Sequence, residues 1–454
     1  MNGPVPRSRE LRVAALTRVE GETALRLRIH RGTVVETRLA IYEPPRFFEA
    51  FLRGRAHTEP PDLTSRICGI CPVAYQMSAC RAVEDACGVD VGGQLAALRR
   101  LLYCGEWIES HTLHIHLLHA PDFLGHDDVI GLSRTHREHV ERGLRLKRTG
   151  NRVIEVLGGR SIHPVNVRLG GFHRTPTRAE LRPLAELLRA ALDDAWDTVR
   201  WVAGFDFPDA ECDADLFALA EADRYAIESG VPTVLPSGEG AAPRGFPLRD
   251  FCDHVAEAQV PYSTALHSRL DGRRHLTGPL ARWAISGHLL SPTAREAARE
   301  AGLGDPRTGS AGADGGGVCN PYRSILVRAV EVLYAVEEAL RVIDAYEPPP
   351  RPYVEVPARA GTGHGATEAP RGLLYHRYAL DGAGRVTDAR IIPPTAQNQG
   401  AIEEDLRRTV QTGLDRGEDS DAGLTRLCER VVRNHDPCIS CAAHFMRLDV
   451  ERTE

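Results

Sequence analysis

Arg66-Ile67-Cys68-Gly69-Ile70-Cys71-Pro72 is the stretch that decides how this chain is read, together with Asp436-Pro437-Cys438-Ile439-Ser440-Cys441 near the other end. Each holds a Cys-x-x-Cys pair. Alone, such a pair serves as a redox dithiol or as half of a zinc site. Neither pair is followed by His, which excludes covalent haem attachment. If the fold brings the two ends together, four soft thiolates form one site suited to zinc, an iron–sulfur cluster or nickel. A closed structural zinc is the plainest occupant of four cysteines. Zinc ribbons, however, keep their pairs within roughly twenty residues of each other. Here most of the chain separates them, which favours a site buried at the centre of a large subunit.

The bulk properties narrow the class. The 454 residues suffice for a large core and several subdomains. Hydrophobic content of 42% and charged content of 26% are those of an ordinary globular protein. A net charge of −6 argues against a general nucleic-acid binder. The 11 cysteines are odd in number and form no regular framework, so a disulfide-stapled secreted domain is not expected. The first residues contain no apolar signal core, and no apolar run reaches the roughly 18 residues of a membrane helix. The expectation is a cytoplasmic protein without a membrane span.

Periodicity sets the coarse structure. Residues 11–42 alternate as two or three antiparallel strands. Helical patterns cover 46–54, 73–87, 98–119, 132–157, 177–204, 321–344, 398–415 and 420–434. His111, His114, His116 and His119 do not share one helix face and are expected to pack in a core. Residues 303–318 read as a linker by composition. The Gly-Thr-Gly-His-Gly run at 361–365 reads as a glycine-rich loop, but lacks the spacing of a nucleotide-binding turn. Residues 373–393 read as two strands around Asp381-Gly382.

The residues around the cysteines go further. R-I-C-G-I-C-P-V-A-Y-Q (66–76) and D-P-C-I-S-C-A-A-H (436–444) resemble the two metal-binding signatures of nickel–iron hydrogenase large subunits, above all the cytoplasmic, NAD(P)-linked sulfhydrogenase-type branch. The resemblance implies an α+β, predominantly helical fold. In it a central bundle of long helices carries small peripheral antiparallel sheets. The expected division is a β region at 1–45, a helical core with the first cysteine pair at 46–204 and a mixed α/β insert at 205–320. A region of helices and strands with the second pair follows at 321–444. The resemblance also implies that a maturation endopeptidase removes 445–454.

The same resemblance assigns roles. Nickel is held by Cys68, Cys71, Cys438 and Cys441. Cys71 and Cys441 bridge to an iron that carries CO and two cyanides. In Thr17-Arg18-Val19-Glu20-Gly21, Glu20 relays protons, a task that suits a carboxylate. In Glu368-Ala369-Pro370-Arg371-Gly372, Arg371 hangs over the metals. Asp122, in Ala120-Pro121-Asp122-Phe123, sits beside that arginine, and Asp436 completes the polar surroundings. Thr395, Pro370 and Arg371 contact the cofactor, Thr395 through its hydroxyl. Glu49, the Ile391 carbonyl and His444 hold Mg²⁺ or another divalent ion. One departure stands out: the fourth residue after the second cysteine is usually His and here is Tyr75.

The implied reaction is reversible heterolysis of H₂. No remaining cysteines have cluster spacing. Electrons would therefore leave through a small subunit with iron–sulfur clusters, joined by a flavin and NAD(P) diaphorase module. Two rivals stay open: a metal-free homologue of the complex I type, and a structural four-cysteine zinc assembly protein.

Overall fold

The computed structural model describes residues 8–238, 241–304 and 320–443. The chain opens with β1 (Ser8–Val13), β2 (Thr23–His30) and β3 (Thr33–Ile41), paired antiparallel in that order. Thr23, Leu25, Leu27 and Ile29 alternate inward along β2, as one buried face requires. A short helix α1 (Phe48–Leu52) follows, then α2 (Pro72–Cys87) and α3 (Gly93–Thr112). A π-helical turn over Leu113–His119 prolongs α3, so the helical run expected to reach His119 changes pitch in its last turns. The segment expected as one helix at 132–157 is broken. Asp128 caps a short helix at Val129–Thr135, His136 leaves helical geometry, and α4 (Arg137–Gly158) begins after it. A capping box of Thr177 and Glu180 starts α5 (Arg178–Ala203).

The 205–304 segment carries β4 (Asp215–Ala220) and β5 (Val231–Leu235) within a four-stranded sheet that has one parallel pair. Then come α6 (Ser324–Asp344), β6 (Gly361–Ala369), β7 (Gly372–Leu380) and β8 (Val386–Ile392). The chain closes with α7 (Pro394–Asp415), α8 (Asp421–Asn434) and the single turn α9 (Ile439–Ala442). Most of the expected linker lies outside the described residues, as do His444 and the 445–454 tail. Among the described residues no helix is long and apolar enough to cross a membrane.

The glycine-rich run is a strand and not a loop. A Cβ on Gly361, Gly363 or Gly365 would lie 2.6, 2.1 or 2.4 Å from the carbonyl oxygens of Ala86, Ala82 and Ser78. The glycines alternate along β6 because that face lies directly on the backbone of α2. The helix that follows the first cysteine pair is thereby pressed against the β6–β7–β8 sheet.

The bundle helices share one hydrophobic core. Trp107, Leu101 and Leu102 of α3 join Val153 and Ile154 of α4, Leu188 of α5 and Val330 and Leu333 of α6, and the core extends to all four site cysteines. Gly105 of α3 and Gly150 of α4 allow close approach there, since a Cβ on Gly150 would lie 2.6 Å from the Gly105 carbonyl. A second cluster joins the N-terminal sheet to α7 and α8 through Leu27, Ile29, Leu406 and Val431.

Candidate metal centre

The four thiols converge. Cys68, Cys71, Cys438 and Cys441 are each at most 3% exposed. Their sulfurs all lie within 4.8 Å of one another. Cys68 and Cys438 are 3.5 Å apart, as are Cys71 and Cys441. Among the described residues no other group of three or more His, Cys, Asp or Glu gathers its ligand atoms this closely.

Local backbone shapes each pair. The amides of Ile70 and Cys71 donate to the Cys68 sulfur at 3.3 and 3.2 Å, which turns the first pair into a knuckle. Pro72 opens α2 immediately afterwards. At the second pair, Asp436 takes a left-handed φ of 48°, uncommon for a residue with a side chain. Cys438 is extended, and its amide donates to the Thr395 hydroxyl oxygen at 3.0 Å.

Glu20 and Arg46 fasten the N-terminal region to the cysteine segments. Glu20 bridges Cys438 through backbone pairing, and the Ile439 amide donates to its carbonyl at 3.1 Å. Its Oε2 accepts the Ser440 amide at 3.0 Å and lies 3.2 Å from the Cys438 sulfur. Arg46 donates to the carbonyl of Ile67 at 2.6 Å and to that of Ser440, tying the two cysteine segments directly. Nothing in the spacing of Arg46 signals this role.

Arg371 is 2% exposed and carries the permanent positive charge beside the sulfurs. Its Nε donates to the Asp436 carbonyl at 2.8 Å and its Nη2 to Asp436 Oδ1 at 3.1 Å. Arg328 lies 3.6 Å from the other Asp436 oxygen. Burial lowers the Arg328 pKa to about 10, opposed by Asp436 and assisted by the Arg371 charge.

Asp122 is a correction. It was expected beside Arg371, but its oxygens accept from Arg18 at 2.5 Å and from Arg433 at 2.7 and 2.9 Å, and pair with His119 at 3.0 Å. The π-helical turn swings Asp122 toward α8 and the N-terminal hairpin. The position facing Arg371 from this side is Ser110, whose hydroxyl oxygen is 3.4 Å from Nη1. Two further residues escaped the sequence reading. Glu106 accepts the amides of Val73 and Ala74, and Glu109 pairs with Lys147, the only lysine in the chain. Glu106, Glu109 and Ser110 stand three and four residues apart, the spacing of one helix face, which was the available signal.

Glu49 and Ile391 meet: the Ile391 amide donates to Glu49 Oε1 at 2.7 Å. Burial lifts the Glu49 pKa to about 8, against the pull of that amide and of Arg390. The Pro370 carbonyl accepts from Arg282 at 3.1 Å. The histidines of α3 and its π-helical turn are all buried, as expected. His111 faces Glu331 at 3.0 Å, His114 the Arg433 carbonyl at 2.8 Å and His116 the Thr198 hydroxyl at 3.2 Å. Tyr75 is buried one helical turn after Cys71, and its hydroxyl has no partner of ordinary hydrogen-bond geometry. Burial and the charges of Cys441, Cys71 and Cys438 drive its pKa well up, so it stays a protonated donor beside sulfur.

The donor set fits a soft metal. Without a cation four buried thiolates cannot coexist. Cys438 and Cys441 are driven up by burial and by neighbouring sulfurs. Cys68 ionises most readily despite its desolvation, because the other thiols and Arg371 support its charge. A metal ion removes that conflict, and thiolates select nickel, zinc or iron over hard cations.

Comparison with known proteins agrees with this chemistry. Residues 46–138 match the family model described as nickel-dependent hydrogenase. The chain is 34% identical to sulfhydrogenase 2 subunit alpha of Pyrococcus furiosus over 445 residues, which span 95% of this chain and 98% of that one. It is 29% identical to the NAD-reducing hydrogenase HoxS subunit beta of Cupriavidus necator, across 97% of this chain and 95% of that one. A crystal structure of an NAD⁺-reducing [NiFe]-hydrogenase in the H₂-reduced state superposes with a TM-score of 0.82 at 27% identity, covering 96% of this chain and 99% of that one. Identity at this level over almost the full length of both chains, with four converging thiols as the donor set, means that the chain belongs to the nickel-dependent hydrogenase family as a catalytic large subunit.

Proposed function

We propose that this hydrogenase subunit oxidises H₂ reversibly on a nickel–iron centre held by Cys68, Cys71, Cys438 and Cys441, with Glu20 as the first proton acceptor. The observation that carries the reading is the 3.2 Å approach of the Glu20 carboxylate to the Cys438 sulfur inside a buried four-thiol cage. The bimetallic centre, with iron carrying CO and two cyanides, supplies Lewis acidity for heterolytic cleavage of H₂. Cys71 and Cys441, together with Cys68 and Cys438, would supply the thiolates that hold that centre. Cys438 passes a proton from its sulfur to Glu20 Oε2. The Ser440 amide, at 3.0 Å from the same oxygen, holds the carboxylate in place for that transfer. Arg371 offers its permanent charge and planar donors to anionic ligands of the iron, oriented by Asp436. Thr395 and Pro370 line the same ligands. Asp122 acts further out, by fixing Arg18, the neighbour of the Glu20 loop.

Glu49 and the Ile391 carbonyl hold a divalent cation, magnesium in the simplest reading, with His444 as a third ligand. Electrons leave through a small iron–sulfur subunit, and diaphorase subunits carry them to NAD(P) in the cytoplasm. The name of the NAD-reducing relative supports that route. A maturation endopeptidase that removes 445–454 belongs to the same reading. The complex I-type and zinc-assembly alternatives find no support in these relatives, which are named as hydrogenase subunits. The test is co-purification with neighbouring subunits, followed by nickel and iron analysis, infrared bands of CO and cyanide, and H₂-dependent reduction of NAD and NADP. Zinc in place of nickel, with no H₂ uptake, would sink the reading.

A further inference from the structure

The amide groups around the first cysteine pair divide in a way the proposed reaction does not use. Those of Ile70 and Cys71 donate to the Cys68 sulfur. Pro72 has none. Those of Val73 and Ala74, in the first turn of α2, donate to Glu106 Oε2 at 2.6 Å and Oε1 at 3.1 Å. A helix N-terminus is normally capped by the side chain of the residue before it. Here that residue is Cys71, whose sulfur faces the cage and makes no cap. A carboxylate on α3 supplies the missing acceptors, and it is fully buried. Burial drives its pKa well up, and the two amides, both aimed at the ionised form, oppose that rise without cancelling it. Both oxygens act as acceptors. A protonated carboxyl would need an acceptor for its own proton, and none bonds to it among the described residues.

We propose that Glu106 is a positioning residue of the metal centre. Its carboxylate fixes the start of the helix that leaves Cys71 and neutralises that helix's positive end, which keeps the Cys71 sulfur electron-rich. An uncapped helix N-terminus would instead draw charge from the sulfur beside it, as helix termini do for other cysteine thiolates. Glu109 and Lys147, next along the same face, pair with each other, and Glu106 is the acid that faces the knuckle. This inference rests on the proposed metal centre for its electronic half only.

Two variants separate geometry from charge. Glu106→Gln keeps one acceptor and loses the charge, and Glu106→Ala loses both. In the metal-free chain, hydrogen exchange at the Val73 and Ala74 amides should speed up about tenfold in Glu106→Gln, and further in Glu106→Ala. In the loaded complex the nickel potential, followed by spectroscopic redox titration, should rise in both variants by the same amount. A tenfold change in that one-electron equilibrium corresponds to about 59 mV. Unchanged amide exchange in Glu106→Gln would overturn the proposal. So would a potential that moves in Glu106→Ala alone, because that pattern belongs to a loosened helix and not to a lost charge. If Glu106→Ala does not fold, Glu106→Gln decides both arms. Absence of nickel from the wild-type complex would refute the proposed function, while the exchange measurement still decides the cap.

Discussion

Replacing Glu20 with Gln is the sharpest perturbation of the proposed proton path. The amide side chain has the same shape and retains an oxygen to accept the Ser440 amide at 3.0 Å. It cannot take a proton from the Cys438 sulfur 3.2 Å away. The structural cost is the change from a charge-assisted hydrogen bond to a neutral one, about 1 kcal/mol. The backbone contacts of Glu20 to Cys438 and Ile439 are untouched. Nickel content and the thermal midpoint should therefore stay close to wild type. Loss of a positioned general base typically costs about 10²–10⁴-fold in rate, which at roughly 1.4 kcal/mol per decade raises the barrier by about 3–5 kcal/mol. H₂-dependent dye reduction and H₂/D₂ exchange should both fall by that factor, with binding of H₂ little changed. Glu20→Asp, shorter by one methylene, should recover part of the rate. Full H₂ oxidation and isotope exchange in Glu20→Gln, at full metal load, would refute the path through this carboxylate.

Other outcomes follow from single contacts. Gly363→Ala should destabilise the chain by about 3 kcal/mol or more, read by denaturant titration, because its Cβ would sit 2.1 Å from the Ala82 carbonyl with no flexible neighbour to yield. Tyr75→Phe removes a buried hydroxyl whose neighbour is the Cys441 sulfur, so the metal-free chain should change by no more than about 1 kcal/mol in denaturant titration; a loss of several kcal/mol would contradict so weak a contact. Thr395→Val removes the acceptor of the Cys438 amide and should cost about 1–3 kcal/mol together with nickel occupancy, measured by metal analysis. His275 is buried with its pKa lowered to about 4 by desolvation, so the unfolded chain binds its proton first as pH falls. The stability that neutral His275 contributes is complete above about pH 6.5 and is lost by roughly 1.4 kcal/mol per unit toward pH 4. The stability difference between wild type and His275→Gln should shift by about 3 kcal/mol over that window, and a constant difference would contradict the burial argument.

The sequence was most legible where the physics is local. Alternation in Thr23–His30 and helical periodicity in Ser324–Asp344 placed those elements near their observed bounds. Thr177 with Glu180 carries its helix start within four residues. Local pattern misled where a neighbour sets the conformation. Gly361, Gly363 and Gly365 look like a loop until the backbone of α2 is laid against them. Asp122 looks like a partner for Arg371 until the π-helical turn carries it to Arg433.

Two Cys-x-x-Cys pairs and their flanking residues already restricted this chain to a soft-metal site, because ligand chemistry is a property of residue type. Their meeting could not be read from either pair, since the Cys68 and Cys438 sulfurs come within 3.5 Å across 370 positions of chain. That closure depends on the N-terminal hairpin lying beside Cys438 and on Arg46 holding both segments. The cap on α2 by Glu106 and the approach of Ser110 to Arg371 depend on where α3 packs. Spacing along one segment records the shape of that segment. Which groups meet across segments is decided by the packing of the whole core.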